Sequence, residues 1–158
     1  VMELPLLKRV ILIGPDEEAF SRVEPEFKEK VEFLSRERLL EMEETEVSAF
    51  VKNQVGEYPL YISIDKDVLC ETDADTNWSQ GDMRLSTMLE CLGAVKEKCA
   101  ERISRILGVD ICGECDVTEP GNSALNDMAN AALLEFFTST DVGEDIEENK
   151  NGTTGGNG

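Results

Sequence analysis

Two aspartates spaced two apart, Asp65 and Asp67, end the run Tyr58-Pro-Leu-Tyr-Ile-Ser-Ile-Asp-Lys-Asp67, which reads as an apolar β-strand. Strand residues of equal parity point the same way. The carboxyl end of a buried parallel strand is where open α/β sheets place their ligands. Two carboxylates there are hard oxygen donors suited to a divalent metal. Lys66 has the opposite parity and is not expected to neutralise them. The plainer reading, a solvated strand end, is disfavoured because an uncompensated carboxylate in a buried strand is costly. The chain has no histidine, so a complete metal site is harder to assemble.

Cys112-Gly-Glu-Cys115 is the second constellation that could do chemistry, as a redox pair or as half of a zinc site. Thioredoxin-type pairs sit at a helix start after a strand, and a zinc site needs a second pair at short spacing. Cys91 and Cys99, eight apart on an apparent helix, do not supply one. Two thiols at a buried edge are the plain alternative. The five cysteines are odd in number and scattered, which is not a disulfide framework. Asp73 and Asp75 read as solvated loop charges.

The elements that must position these groups alternate. Val10–Ile13, closed by Gly14-Pro15, predicts a short strand, and Asp16-Glu17-Glu18 suits the positive start of a helix that Pro25 ends or kinks. Val31–Leu34 predicts a second strand, and Arg36 to Val55 a helix stopped by Gly56. Pro59–Ile64 is the strand that leads into the aspartate pair, with too little polar alternation to face water. A polar loop over residues 68 to 82 leads to a helix with the stripe Met83, Leu85, Met88, Leu89, Leu92 and Val95. Ile103–Ile111 predicts the next strand. Ser123–Phe137 predicts the last helix, packing through Ala124, Leu125, Met128, Ala131, Ala132 and Leu134. From Thr138 the chain turns acidic and Gly/Asn-rich, with too little apolar surface to offset ordering entropy, so residues 138–158 are expected to be a disordered tail. Alternating strands and helices predict an α/β domain over residues 1–137, three layers αβα, with a parallel sheet of about four strands.

With 41% apolar residues in 158, one core is affordable and two full domains are not. Fifteen Lys and Arg against 34 Asp and Glu give a net charge of −19, which disfavours nucleic-acid and membrane-surface partners. No apolar run approaches the roughly 20 residues needed to span a bilayer, and no basic-then-apolar leader opens the chain, so a cytoplasmic location is expected. Val1-Met-Glu-Leu-Pro, running straight into Leu6–Gly14, predicts a chain that begins partway through a larger fold.

Tyr-Ile-Ser-Ile-Asp65-Lys-Asp67, the loop ending Gly81-Asp-Met-Arg-Leu85, and Gly108-Val-Asp-Ile-Cys-Gly-Glu114 together resemble the carboxyl half of the ureohydrolases, the arginase and agmatinase family. The resemblance covers roughly residues 8 to 137 and is strongest over 58 to 116. It implies a partial fold of the arginase and deacetylase type and a binuclear manganese centre. It also implies hydrolysis of a carbon–nitrogen bond in a small guanidino or amidino substrate. By the same resemblance Asp65 is the carboxylate bridging both ions and Asp67 a ligand to one. Glu114 is the guanidinium-binding glutamate, with a spacing from Asp110 about one residue off the arginase pattern. The loop carrying Asn77, Trp78 and Gln80 lies on the substrate side, where Trp78 covers the site mouth or else caps the core. The family's remaining metal ligands include a histidine and an Asp-x-His-x-Asp motif, absent from a chain without histidine. The implied outcome is at most a partial manganese site and little or no hydrolysis. The alternatives are a non-catalytic binding or regulatory α/β protein and, behind it, a Cys-x-x-Cys redox or zinc protein. Substrate identity and oligomeric state, homo-oligomer included, are left open.

Overall fold

The computed structural model describes residues 3–102, 105–115 and 123–139. Among the described residues, four strands are each followed by one or two of six helices: β1 (Val10–Ile13), α1 (Glu17–Ser21), α2 (Pro25–Lys28), β2 (Val31–Leu34), α3 (Arg36–Glu41), α4 (Glu44–Gln54), β3 (Leu60–Asp65), α5 (Leu85–Arg102), β4 (Ile106–Cys112) and α6 (Ser123–Thr138). A single 3-10 turn, Lys66–Val68, follows β3. Among the described residues the strands form two parallel pairs, β1 with β2 and β3 with β4, rather than one sheet of four. The fold is mixed α/β. The expected acidic tail lies outside the described residues from position 140 onward, as does Ile103 at the expected start of the fourth strand.

The core gathers Leu34 from β2, Leu39 from α3, Val47 and Val51 from α4, Ile64 from β3, and Met88, Leu92 and Ala94 from α5, with Ala129 and Leu133 from α6. Asp16 starts α1 by accepting from the backbone N–H of Ala19 at 2.6 Å. Pro25 opens α2 instead of ending α1, since its missing N–H costs nothing at a first helical position. The single helix expected over 36–55 is two. Met42 is extended (φ −94°, ψ 144°), and Glu43 and Glu46 form a reciprocal capping box that restarts the chain as α4.

Two packing expectations are corrected. β3 is not buried on both faces: Ile62 and Ile64 face the core, while Tyr61, Ser63 and Asp65 are exposed on the other side. On α6 the buried positions are Asn126, Ala129 and Leu133, whereas Met128 and Leu134 are exposed. The stripe is rotated because two asparagines, Asn126 and Asn130, make hydrogen bonds on the inward side, as described below. A polar residue that finds its partners can occupy a packed face.

Candidate functional site

The carboxyl ends of β3 and β4 form one rim. Asp65, the last residue of β3, lies opposite Cys112, the last residue of β4. β3 stops there because the Asp65 carboxylate folds back on the chain: Oδ1 accepts from the N–H of Asp67 at 3.1 Å and starts the 3-10 turn. Asp67 is therefore on a turn, and strand parity does not reach it. The tie between the two residues is the hydrogen bond. Gly113 completes the rim with φ +81°, and a Cβ there would lie 2.7 Å from both Asp65 Oδ1 and the Lys66 nitrogen. Only glycine lets the end of β4 pass so close to the turn. Asp65 is exposed and Asp67 half-buried.

Lys66 shares the parity of Ile62 and Ile64 and is wholly buried. A buried ammonium needs acceptors. Its Nζ donates to Glu114 Oε1 in an ion pair and to Asn130 Oδ1 at 2.8 Å, while Asn130 Nδ2 donates to the same Glu114 oxygen at 2.9 Å. This three-membered ring joins the turn after β3, the segment after β4, and α6. The hydrogen bonds from Lys66 and then Asn130 hold the Glu114 carboxyl below the usual range. Lys66 is thus committed to Glu114, and no lysine or arginine among the described residues is paired with Asp65 or Asp67.

The solvent face of the strand pair is polar. Ser63 Oγ donates to Asp110 Oδ1 at 2.8 Å, and Asp110 also draws the Tyr61 hydroxyl, pushing its titration up. Cys112 is exposed as a residue, yet partial desolvation of its thiol, followed by the charges of Asp65, Asp110 and Asp67, pushes its pKa up. An activated redox cysteine needs the opposite shift. Cys115 accepts a hydrogen bond from Asn126 Nδ2 at 3.4 Å, and both thiols are free.

The loop after the turn is built differently from expectation. Asp73 is no solvated charge: its Oδ2 accepts from the Leu85 N–H at 2.7 Å, capping α5, and pairs with Arg84 Nε at 3.1 Å. Asn126 ties α6 to the loop by accepting from the Asp75 N–H at 3.0 Å and donating to the Asp75 carbonyl at 2.6 Å. Gln80 Nε2 donates to the carbonyls of Leu69 (2.6 Å) and Ala74 (3.2 Å), so it braces the loop. Asn77 is exposed, and Trp78 is 91% exposed and caps no core. Trp78→Ala is accordingly expected to change unfolding free energy by less than about 0.5 kcal/mol in urea denaturation; a loss above about 2 kcal/mol would mean that the indole is packed.

Two surface depressions, one along α4 lined by Glu44, Ser48, Lys52 and Glu90, the other between α3 and the start of α5, lie away from the rim carboxylates. Among the described residues no group of three or more Cys, Asp or Glu side chains is arranged to hold a metal ion. No helix among them is long and apolar enough to cross a membrane.

Comparison with known proteins gives a partial match. No family model matches the chain, and no solved structure does. An uncharacterized protein of Thermotoga maritima is 35% identical over 85 residues, 52% of this chain. The match spans only 32% of that protein's length, so this chain corresponds to about a third of the relative it resembles.

Sequence reasoning brought Asp65, Asp67 and Glu114 to one rim but missed Lys66, Asn130, Asp110 and Gly113. The signal for Lys66 was available. Continuing the alternation of Ile62 and Ile64 by one step puts a lysine on the core side, and a buried lysine demands a carboxylate.

Proposed function

We propose that this chain carries part of a ureohydrolase-like centre in a three-layer αβα fold, in which Asp65 and Asp67 hold manganese and Glu114 meets a guanidino or amidino substrate. The observation that carries this reading is the rim itself. Two carboxylates, which no lysine or arginine among the described residues pairs, stand at the carboxyl end of β3 and on the turn just beyond it, beside the end of its parallel partner β4, the edge where ligands of α/β sheets bind. Both are hard oxygen donors, and the residue between them is turned inward, its charge spent on Glu114. A manganese pair supplies Lewis acidity and an activated nucleophile. In this reading Asp65, whose other oxygen is outside the turn's hydrogen bond, and Asp67 would hold the metal. Asn77 and Trp78, exposed on the loop that follows, line the substrate side.

Two carboxylates alone do not make a tight two-ion site, so weak divalent-metal binding and little or no hydrolysis are expected of this chain. Calorimetric titration with MnCl2, paired with an assay for urea release from agmatine or arginine, tests this. Weak binding that Asp65→Ala lowers at least about tenfold, with no turnover, supports the reading. Equal binding by the variant removes the metal site.

A second reading, a scaffold that keeps the fold without the chemistry, is favoured by one observation: no third ligand stands with Asp65 and Asp67 among the described residues. It predicts no response to manganese. The thiol-redox alternative is opposed by the upward shift at Cys112.

A further inference from the structure

The inward lysine has a consequence for what the rim can recognise. A wholly buried lysine is rare, and it is tolerated when an anion and further acceptors surround it. Here the anion is Glu114, whose side chain is half exposed while its partner is not exposed at all. The bonds from Lys66 and Asn130 both end on Oε1, which leaves Oε2 outside the ring. One full positive charge is therefore fixed against Glu114 from the protein side.

We propose that Lys66 and Asn130 are positioning residues that make Glu114 a charge-blind acceptor: it selects a planar N–H group by geometry, and uncharged ureido or amide compounds fit it as well as cationic amidines. This deepens the ureohydrolase-like reading and rests on its placement of Glu114 at the substrate. A free carboxylate prefers a guanidinium to its neutral isostere through charge-assisted hydrogen bonding. A carboxylate already paired with an ammonium presents little net charge, and the preference shrinks. The ring through Asn130 also fixes the carboxylate plane, so the remaining oxygen keeps one orientation.

Methylguanidinium and methylurea have nearly the same shape and differ in charge. Each is titrated at millimolar concentration into the full chain, with binding read from the backbone amide signals of Gly113, Glu114 and Cys115. The expected result is dissociation constants for the two within about threefold of each other in the natural chain. In Lys66→Met, which keeps the buried stem and removes the charge, methylguanidinium is expected to become favoured by about tenfold or more. In Lys66→Met/Glu114→Gln that preference disappears. A tenfold preference for methylguanidinium in the natural chain overturns the inference while leaving Glu114 as a substrate group, and this comparison needs no variant to fold. No shift at these three amides with either compound overturns the placement of Glu114, and the inference with it.

Discussion

Lys66→Ala is expected to lower the unfolding free energy by about 3 kcal/mol in urea denaturation at pH 7. The aliphatic stem of Lys66 is buried without remainder, so truncation opens a cavity. It also strips Asn130 Oδ1 of a donor. Glu114, half exposed, can recover water, which keeps the cost below that of a charge stranded in a dry interior. Lys66→Met separates the two contributions, because it refills the volume and removes the ion pair. Its cost is expected to be about 1 kcal/mol, since buried pairs replaced by apolar groups of similar size are often near neutral. The pH dependence has a definite sign. Glu114 titrates below its ordinary value near 4.5 in the folded chain. Its pairing therefore contributes stability above that value, and the contribution is lost as pH falls through the lower, folded one. The gap between the natural chain and Lys66→Met should narrow in that acid window, and a gap that widens there would mean the ion pair is not formed.

Gly81→Ala is expected to cost about 3 kcal/mol, a fall in melting temperature on the order of 10 °C by circular dichroism. A Cβ at Gly81 would lie 2.7 Å from the Val68 Cα and overlap the Val68 carbonyl outright. These are backbone atoms in a tightly bonded stretch. The Gly81 N–H donates to the Leu69 carbonyl at 3.0 Å, Met83 N–H to Val68 carbonyl at 3.0 Å, and Cys70 N–H to Met83 carbonyl at 2.8 Å. Leu69 and Met83, which this bridge places side by side, are both buried in the core. Relieving the overlap means breaking the bridge that leads the chain from the rim into α5. Gly56→Ala, where nothing lies within 4 Å of the added carbon, is the control and should be near neutral. Equal melting temperatures for the two variants would show that the loop yields freely.

The strands were legible because short apolar runs bounded by Gly, Pro and charge have few other uses: β1 and β2 fall where the residue pattern puts them. Helix boundaries followed from local chemistry where it was read, and the break at Met42–Glu43 was missed because a glutamate cap is a weaker signal than serine or aspartate. The inward face of α6 was misread since apolar residues were counted and asparagines were not, although Asn126 and Asn130 stand one helical turn apart and both find partners. Hydrogen bonding between distant segments is not written in periodicity. Glu114 could be placed at the rim from its position after a strand, and the inward turn of Lys66 was open to the same reading through the alternation of Ile62 and Ile64, but its bond to Asn130 on α6 was not. The polar face of Tyr61, Ser63 and Asp65 was hidden by the tyrosine, which reads as apolar in a run and lies in the structure over Gly108 with an exposed ring.

Whether Asp65 and Asp67 grip a cation is most directly settled by paramagnetic broadening. A chain of net charge −19 will attract Mn2+ loosely over its whole surface, so location matters more than bulk affinity. Substoichiometric MnCl2 at moderate salt should broaden the amide signals of Asp65, Lys66, Asp67 and Gly113 first, and Asp65→Ala should abolish that selectivity. Broadening spread evenly over the acidic residues of α1, α3 and α4, with the rim no more affected than they are, would contradict a metal site at this rim.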